Sequence, residues 1–414
     1  MSTLSAELQS KWLYGSPLPF AEGPWARGCP TSQYLIPHVH EWEKSESLPL
    51  SLYKQAADDG ILMPMASGAS IGAAWSARYP TIGDVPASEW DGFHDFIIHD
   101  EFGRVGGIGL ENGLVGGVTL AVPAIARFGS EELKEKVLHD ILSGKSRIAL
   151  AITEPDAGSD VRGLQTEAVL SEDGSHFIVN GQKKWITSGM YADYFLTLVR
   201  EATGNFSLLV IPRTEGVSTT HMSMSGSTAA GTAFVEFDDV RVPLDMVVGE
   251  RENGFKYIVS NFNHERLFIG MQALRYALSR ETFGKKLTDH AVIRFKFANM
   301  SRETEALQSW IESLIYQLSQ LSHAEGEFLL AGTTAQLKAH AGIVLEHVVR
   351  DAIQIMGGIG LTRGGRGERV ERIWRDVKAI TVPGGSEEIL LDLATRRALK
   401  ISAELQNMTV KGRL

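Results

Sequence analysis

The chain has 414 residues, of which 43% are hydrophobic and 22% charged, with 42 glycines and 14 prolines. This composition is that of a globular protein of two or three domains, and it excludes a wholly disordered, collagen-like or coiled-coil chain. The formal net charge is −10, and without a long basic run this balance disfavours a nucleic-acid-binding protein.

The chain contains one cysteine, Cys29. One thiol excludes an internal disulfide, a cysteine-rich zinc site and an iron–sulfur cluster, and the histidines show no metal-binding spacing, so the sequence predicts no metal. Residues 1–12 lack the apolar core of a secretory signal, and we expect a soluble intracellular protein. The ending Gly412-Arg413-Leu414 approximates a peroxisomal targeting tripeptide, with cytoplasm or mitochondrion as the alternatives.

An apolar stretch over residues 105–126 carries one charge, Glu111, and has the length of a membrane span. Seven glycines and prolines interrupt it, which disfavours a helix in lipid. We therefore predict a tightly packed helix inside the domain and no membrane span.

The pattern along the chain divides it into three blocks. Residues 1–146 mix helical patterns with Pro/Gly-rich connectors, including a short helix predicted over 133–142. Residues 147–250 carry short β-rich runs: 148–152, 168–170, 177–179, 194–199, 206–211 and 233–237. Residues 251–414 are helical again, with long helices predicted over 255–280, 292–321, 328–356 and 387–405. The prediction is an α+β multi-domain protein: an N-terminal helical domain, a middle β-barrel or sandwich, and a C-terminal four-helix bundle.

The most specific segment is AITEPDAGSDV at residues 151–161. It reads as a strand that enters a turn rich in hydroxyl and backbone N–H groups, which suits an anionic or polar ligand. The whole string closely resembles the signature of the acyl-CoA dehydrogenase family. Four further strings resemble family motifs in the family's order: GQKKWITSG at 181–189, RETFG at 280–284, QIMGGIG at 354–360 and VERIWRD at 370–376.

The resemblance implies FAD as the cofactor, held by residues that match the family's positions. Thr153 would bond the pyrimidine edge of the flavin, Ser159 the pyrophosphate, and Trp185 and Thr187 would face the isoalloxazine ring. Six further positions would hold the pyrophosphate and adenosine of a flavin bound mainly to a neighbouring subunit, or would contact that same flavin. They are Arg280, Phe283, Gln354, Gly357, Gly358 and Ser386. A homotetramer or homodimer with FAD at the subunit interface follows from this resemblance.

The usual catalytic carboxylate of the family is missing. Many members carry it eight residues after the Asp of the late helix, where this chain has Gly384. Isovaleryl- and long-chain-specific branches place a Glu directly before an Arg on another helix, and Glu265-Arg266 matches that arrangement. We interpret Glu265 as the base, Arg266 as holding the local geometry and Asn263 as lying near the pantetheine arm.

Other readings of these carboxylates remain open. Glu265 and Arg266 also suit an ordinary ion pair on a helix surface. Glu387 and Glu388 are further candidates for the base, but acidic residues at the opening of a helix are explained by the helix dipole. The backbone N–H of Gly384 would polarise the thioester carbonyl, a contribution that does not need a side chain.

The resemblance implies an oxidoreductase that converts an acyl-CoA to a trans-2-enoyl-CoA, as in fatty acid metabolism, with an electron-transfer flavoprotein or oxygen as the oxidant. The alternatives are a flavin oxidase of the same fold and a non-catalytic flavin-binding relative. The run at 261–266 and an enlargement around 363–367 look most like fungal members, some of which serve specialised metabolism.

Overall fold

The computed structural model describes residues 35–66, 71–86, 89–259, 281–282, 285–286 and 290–410. Cys29 and the terminal tripeptide lie outside these ranges. Helices precede and follow a seven-stranded sheet. The N-terminal helices are α1 (Val39–Ser45), α2 (Leu50–Asp58), α3 (Leu62–Met65), α4 (Ala73–Ser76), α5 (Gly92–Val105), α6 (Ile108–Glu111), α7 (Gly117–Phe128) and α8 (Glu131–Leu142).

The apolar stretch forms the centre of this helical block. Helix α6, a π-helical turn (Asn112–Gly116) and α7 follow one another without interruption. Within the described part of the chain, Ile108–Phe128 is long and apolar enough to cross a membrane, but 89% of its most apolar window is buried inside the protein. The prediction of a packed helix is confirmed. Helix α8 is likewise confirmed, and the Ser130 Oγ caps it by accepting from the Leu133 N–H at 3.1 Å.

The middle block is one curled sheet. Its strands are β1 (Ile148–Ala151), β2 (Glu167–Leu170), β3 (His176–Ile186), β4 (Tyr194–Glu201), β5 (Phe206–Pro212), β6 (Val217–His221) and β7 (Ala233–Pro243). Strand β4 pairs antiparallel with β5 on one side. On its other side β4 pairs in parallel with β1 along its first half and with β2 at its end. Antiparallel pairing continues from β2 through β3 and β7 to β6. Strand β6 was not predicted, since its sequence VSTTH has little hydrophobic alternation.

The C-terminal block consists mainly of long helices. They are α9 (Gly254–Val259), α10 (Ala291–Ser319), α11 (His323–Leu329), α12 (Ala331–Met356), α13 (Glu368–Thr381) and α14 (Glu387–Val410). Two short strands, β8 (Glu281–Thr282) and β9 (Lys285–Lys286), pair antiparallel before α10. The helix predicted over 255–280 is described only as α9, and residues 260–280 lie outside the described ranges. Helix α12 packs against α10, α13 and α14. The three-block fold class is confirmed.

The N-terminal helices and the sheet are joined by a common apolar core, which includes Val118 and Ile125 of α7 and Ile148 of β1. A second core lies among the C-terminal helices, with Leu307, Leu314 and Leu337, and it also takes in Phe96 of α5. At roughly 25 cal/mol per Å² of apolar surface removed from water, these cores supply the main favourable contribution to folding.

Candidate active site

Two of the family-like strings meet at the ends of β1 and β3. The Thr153 Oγ1 donates to the Lys184 carbonyl at 2.6 Å, and the Lys184 N–H donates to the Thr153 carbonyl at 2.8 Å. A short bridge between Glu154 and Ala157 tightens the turn after β1. Because the Thr153 hydroxyl donates its hydrogen to the Lys184 carbonyl, its oxygen lone pairs can accept a hydrogen bond from a ligand N–H.

Trp185 is turned outward by an irregularity in β3. The pairing of β3 with β7 shifts register between Lys183 and Ile186, and Trp185 has a φ of +60°. β-Bulges re-aim side chains in this way beside binding sites. The indole is 44% exposed, and the Lys184 Nζ lies 5.0 Å from its ring centroid. A large aromatic face at the end of a strand, beside the Thr153 hydroxyl, fits a planar heteroaromatic ring such as isoalloxazine.

A buried ion pair fixes the turn that carries Thr153. The Lys183 Nζ donates to Glu154 Oε1 at 2.7 Å and to the carbonyls of Leu198 at 2.8 Å and Ile152 at 3.1 Å. Burial lowers the pKa of Lys183 to about 8, against the opposing attraction of Glu154. Burial acts to raise the pKa of Glu154, but the charge of Lys183 and the bonds from Lys183, Thr166 and Gln165 outweigh it, so the pKa is lowered. The pair therefore locks the turn against β3 and β4.

The residues that follow β3 contact the N-terminal helices. Ser188, with a φ of +61°, donates from Oγ to the Asn112 carbonyl at 3.0 Å. A Cβ placed on Gly116 would lie 3.7 Å from the Cγ2 of half-buried Thr187. The π-helical turn 112–116 therefore lies against Thr187. Such turns are rare and occur often at functional sites. The only signal for this one in the sequence is the glycine content of residues 112–116.

The other predicted positions fall into two further groups. Gln354, Gly357 and Gly358 are exposed at the end of α12, and Ser159 is exposed in the turn after β1. Gly384 and Ser386 lie between α13 and α14. The predicted residues Asn263, Glu265, Arg266, Arg280 and Phe283 lie outside the described residues.

The backbone at Gly384 gives a physical reason for the missing carboxylate. Gly384 has a φ of +72° and Gly385 a φ of +108°, both in the left-handed region. A glutamate held at this φ would be strained by roughly 1–2 kcal/mol. The loop conformation therefore favours glycine at the position where the family often carries its base.

Two buried carboxylates connect α13 to the rest of the molecule. Asp376 Oδ1 accepts from the Ser227 N–H at 2.8 Å, and Glu43 Oε2 accepts from the Thr228 hydroxyl at 2.7 Å and the Ala229 N–H at 3.0 Å. Ser227 Oγ also accepts from the Asn112 amide at 3.2 Å. Sequence reasoning missed this cluster, because its members come from three distant segments.

The cluster is electrostatically unusual. Glu43 Oε1 and Asp376 Oδ2 are buried and have no hydrogen-bond partner among the described residues. Burial, and then the negative charge of Glu43, raise the pKa of Asp376 to about 7, against the opposing effects of the Ser227 N–H, Arg372 and Arg375. Asp376 is therefore substantially protonated near neutral pH.

This raised pKa predicts a pH-dependent contribution to stability. Between its ordinary pKa of 3.8 and the folded value of about 7, Asp376 binds a proton in the folded state that the unfolded state has released. Stability from this group is therefore complete at low pH and is lost as the pH rises through about 7. Relative to Asp376→Asn, the free energy of unfolding of the unmodified protein should fall by about 2.5 kcal/mol from pH 5 to pH 8.

Urea unfolding of both proteins across this pH range measures the difference. The matched control is Asp58→Asn, which removes an exposed carboxylate on α2 and should leave a parallel pH curve. Parallel curves for Asp376→Asn and the unmodified protein would contradict the raised pKa.

Comparison with known proteins agrees with the geometry. The family models for the acyl-CoA dehydrogenase N-terminal, middle and C-terminal domains match residues 31–145, 149–240 and 252–399. Acyl-CoA dehydrogenase apdG of Emericella nidulans is 38% identical, covering 96% of this chain and 99% of its own. Acyl-CoA dehydrogenase AFT10-1 of Alternaria alternata is 36% identical, covering 92% and 96%. Both relatives are fungal, in agreement with the prediction.

More distant relatives extend this picture. CarC, a subunit of the caffeyl-CoA reductase–Etf complex of Acetobacterium woodii, is 30% identical over 71% of this chain and 79% of its own. Two solved structures, each 25% identical, share the fold. Butyryl-CoA dehydrogenase of Megasphaera elsdenii has a TM-score of 0.76, with 96% and 100% of the two chains covered. An acyl-CoA dehydrogenase of Bacillus anthracis complexed with FAD has a TM-score of 0.77, with 92% and 67% covered.

Matches to all three domain models and to named enzymes over nearly the whole chain establish the assignment. The chain belongs to the acyl-CoA dehydrogenase family and is an oxidoreductase.

Proposed function

We propose that this protein removes the α-proton and the β-hydride of an acyl-CoA thioester and forms a trans-2-enoyl-CoA. The observation that carries the proposal is the joining of the turn at Thr153 to the strand end at Lys184, beside an outward-turned indole. This arrangement places a hydroxyl and an aromatic face together at the ends of β1 and β3. It matches what a bound flavin ring requires.

The cofactor is FAD, which supplies the hydride acceptor at its N5 atom when bound. Thr153 would accept a bond from the pyrimidine edge, Trp185 and Thr187 would face the ring, and Ser159 would bond the pyrophosphate. The half-exposed indole and the exposed Ser159 support these roles, because both remain accessible to a ligand. The Glu154–Lys183 pair fixes the backbone that carries Thr153.

Glu265 takes the α-proton in this proposal, and Arg266 holds the Glu265 side chain in place. Efficient proton transfer requires a Glu265 pKa near the working pH, and burial of the carboxyl would raise it to that range. The left-handed backbone at Gly384 supports a base placed elsewhere in the chain. The Gly384 N–H polarises the thioester carbonyl, so the negative charge formed when the α-proton leaves is stabilised on the oxygen. Asn263 contacts the pantetheine arm.

We further propose that a second subunit completes the flavin site, in a homodimer or homotetramer. Gln354, Gly357 and Gly358, the candidates for the adenosine half of FAD, are exposed. Large apolar side chains of the turn after α12, of α13 and of α14 with the loop before it are also exposed: Leu361 at 67%, Val382 at 59%, Trp374 at 49% and Ile389 at 46%. Exposed apolar side chains near a cofactor site are typical of a surface that another subunit covers.

Product analysis with defined acceptors tests this function. The FAD-loaded protein is incubated with straight-chain, branched and aryl acyl-CoAs, with an electron-transfer flavoprotein or with oxygen as the only oxidant. We expect a 2-enoyl-CoA that depends on the flavoprotein acceptor, with little oxygen uptake. Stoichiometric peroxide with oxygen alone would identify an oxidase, and no product with any acyl-CoA would identify a non-catalytic flavin-binding relative.

A further inference from the structure

Lys338 on α12 lies beneath the loop that carries Gly384. Its side chain is buried, with the residue only 2% exposed. Its Nζ donates to the Thr381 carbonyl at 2.6 Å and to the Gly385 carbonyl at 2.7 Å. One acceptor ends α13 and the other lies in the loop before α14, so a single ammonium group joins both ends of this short connection.

The surroundings of Lys338 are apolar. Neighbouring buried side chains include Leu337 on its own helix and Leu390 on α14, and Ala335, Ala339 and Ala394 form a small apolar cluster with Leu390. An ammonium group in such a place is unfavourable unless it is hydrogen-bonded, and a methionine would fill the same space without this penalty. Packing therefore does not explain a lysine here, whereas its two carbonyl acceptors do.

The loop between α13 and α14 contains two glycines with positive φ values, Gly384 and Gly385, and the Val382 side chain is 59% exposed. The Val382 N–H donates to the Lys378 carbonyl at 3.2 Å, and the Leu390 N–H to the Ser386 carbonyl at 3.0 Å. These bonds anchor the helix ends on either side. The bond from Lys338 to the Gly385 carbonyl anchors the backbone between them.

We propose that Lys338 is a positioning residue for the reaction: it fixes the 382–386 loop so that the Gly384 N–H points at the thioester oxygen of the substrate. Its charge, held beneath the same loop, also favours the negative charge that develops on that oxygen when the α-proton leaves. This inference rests on the proposed function. It adds a residue that acts through the backbone of Gly384.

The test compares Lys338→Met with Lys378→Met, which removes an exposed lysine of α13 that pairs with Glu346. Hydrogen–deuterium exchange of the Val382 and Leu390 amides, which are hydrogen-bonded at the two ends of the loop, is measured first, without substrate. We expect exchange to accelerate about tenfold or more in Lys338→Met and to stay unchanged in Lys378→Met. Lys338→Gln, which keeps a neutral N–H donor group on a shorter side chain, should fall between them and also serves if the methionine variant does not fold.

The second readout isolates proton abstraction from hydride transfer. A 3-thia-acyl-CoA offers an α-proton but no β-hydrogen, so its α-hydrogens exchange with D₂O without oxidation. We expect Lys338→Met to slow this exchange and kcat by about tenfold to a hundredfold at equal flavin content, because a small displacement of a donor has effects of this size. KM should change little.

The outcomes separate the two proposals. Unchanged loop exchange in both lysine-338 variants overturns the positioning role, as does full α-hydrogen exchange in a Lys338→Met protein with a loosened loop. If the unmodified protein reacts with no acyl-CoA, the proposed function fails, and the positioning role falls with it even where the loop loosens as expected. If the unmodified protein and Lys338→Met are equally active, the positioning role of Lys338 is overturned and the proposed function stands.

Discussion

Replacing Glu265 with glutamine is expected to slow flavin reduction by acyl-CoA on the order of a thousandfold, because the amide cannot accept the α-proton. FAD content should stay unchanged, since the residues proposed to hold the ring lie on the sheet. Anaerobic stopped-flow absorbance of the oxidised flavin band measures the rate directly. A rate in Glu265→Gln equal to that of the unmodified protein would contradict the assignment.

The matched control for this variant is the double substitution Glu387→Gln/Glu388→Gln. Both carboxylates are exposed in the first turn of α14, where acidic side chains interact favourably with the helix dipole. We expect the control to react at the unmodified rate and to lose at most about 1 kcal/mol of stability. Loss of flavin reduction in the control with full activity in Glu265→Gln would move the base to α14.

Lys183→Met is expected to have the largest effect on stability. Removing the ammonium leaves the Glu154 carboxylate buried without its charged partner, at 5% or less of full exposure for both side chains. Breaking a buried pair in this way lowers the free energy of unfolding by about 3–5 kcal/mol. The turn that carries Thr153 should also loosen, and the affinity for FAD should fall.

Urea unfolding and FAD titration of the same preparations test this prediction. Lys145→Met, which removes a lysine that is 72% exposed, is the control and should change stability by less than about 0.5 kcal/mol. The double variant Glu154→Gln/Lys183→Met should recover part of the loss, because no uncompensated charge remains. A Lys183→Met protein within about 1 kcal/mol of the unmodified protein would show that the pair does not hold the turn.

The order of the blocks and most strands were predictable, because apolar alternation and turn residues act locally. The strings around Thr153 and Trp185 also identified the segments that meet at the sheet edge. Alternation from Phe177 and Val179 even places Lys183 on the inward face of β3, a signal that a charged residue lay buried there. The bulge that turns Trp185 outward has no comparable local signal.

Other parts of the site depend on packing between distant segments. Glu43 and Asp376 meet only because α1 and α13 both pack against the loop at 227–229, and no periodicity in either helix indicates this. Lys338 lies on a strongly apolar face of α12, where its acceptors come from a loop far along the chain. The resemblance identified the absence of a carboxylate at Gly384, but only the backbone conformation gives the reason.

The proposed reaction requires an acyl-CoA thioester to reduce the flavin of this protein. Anaerobic mixing of the FAD-loaded protein with straight, branched and aryl acyl-CoAs measures this step, with the oxidised flavin absorbance as the readout. We predict rapid bleaching by at least one member of the panel, with the corresponding 2-enoyl-CoA recovered in an amount equal to the flavin reduced. A flavin that stays oxidised with every acyl-CoA would contradict the proposed reaction.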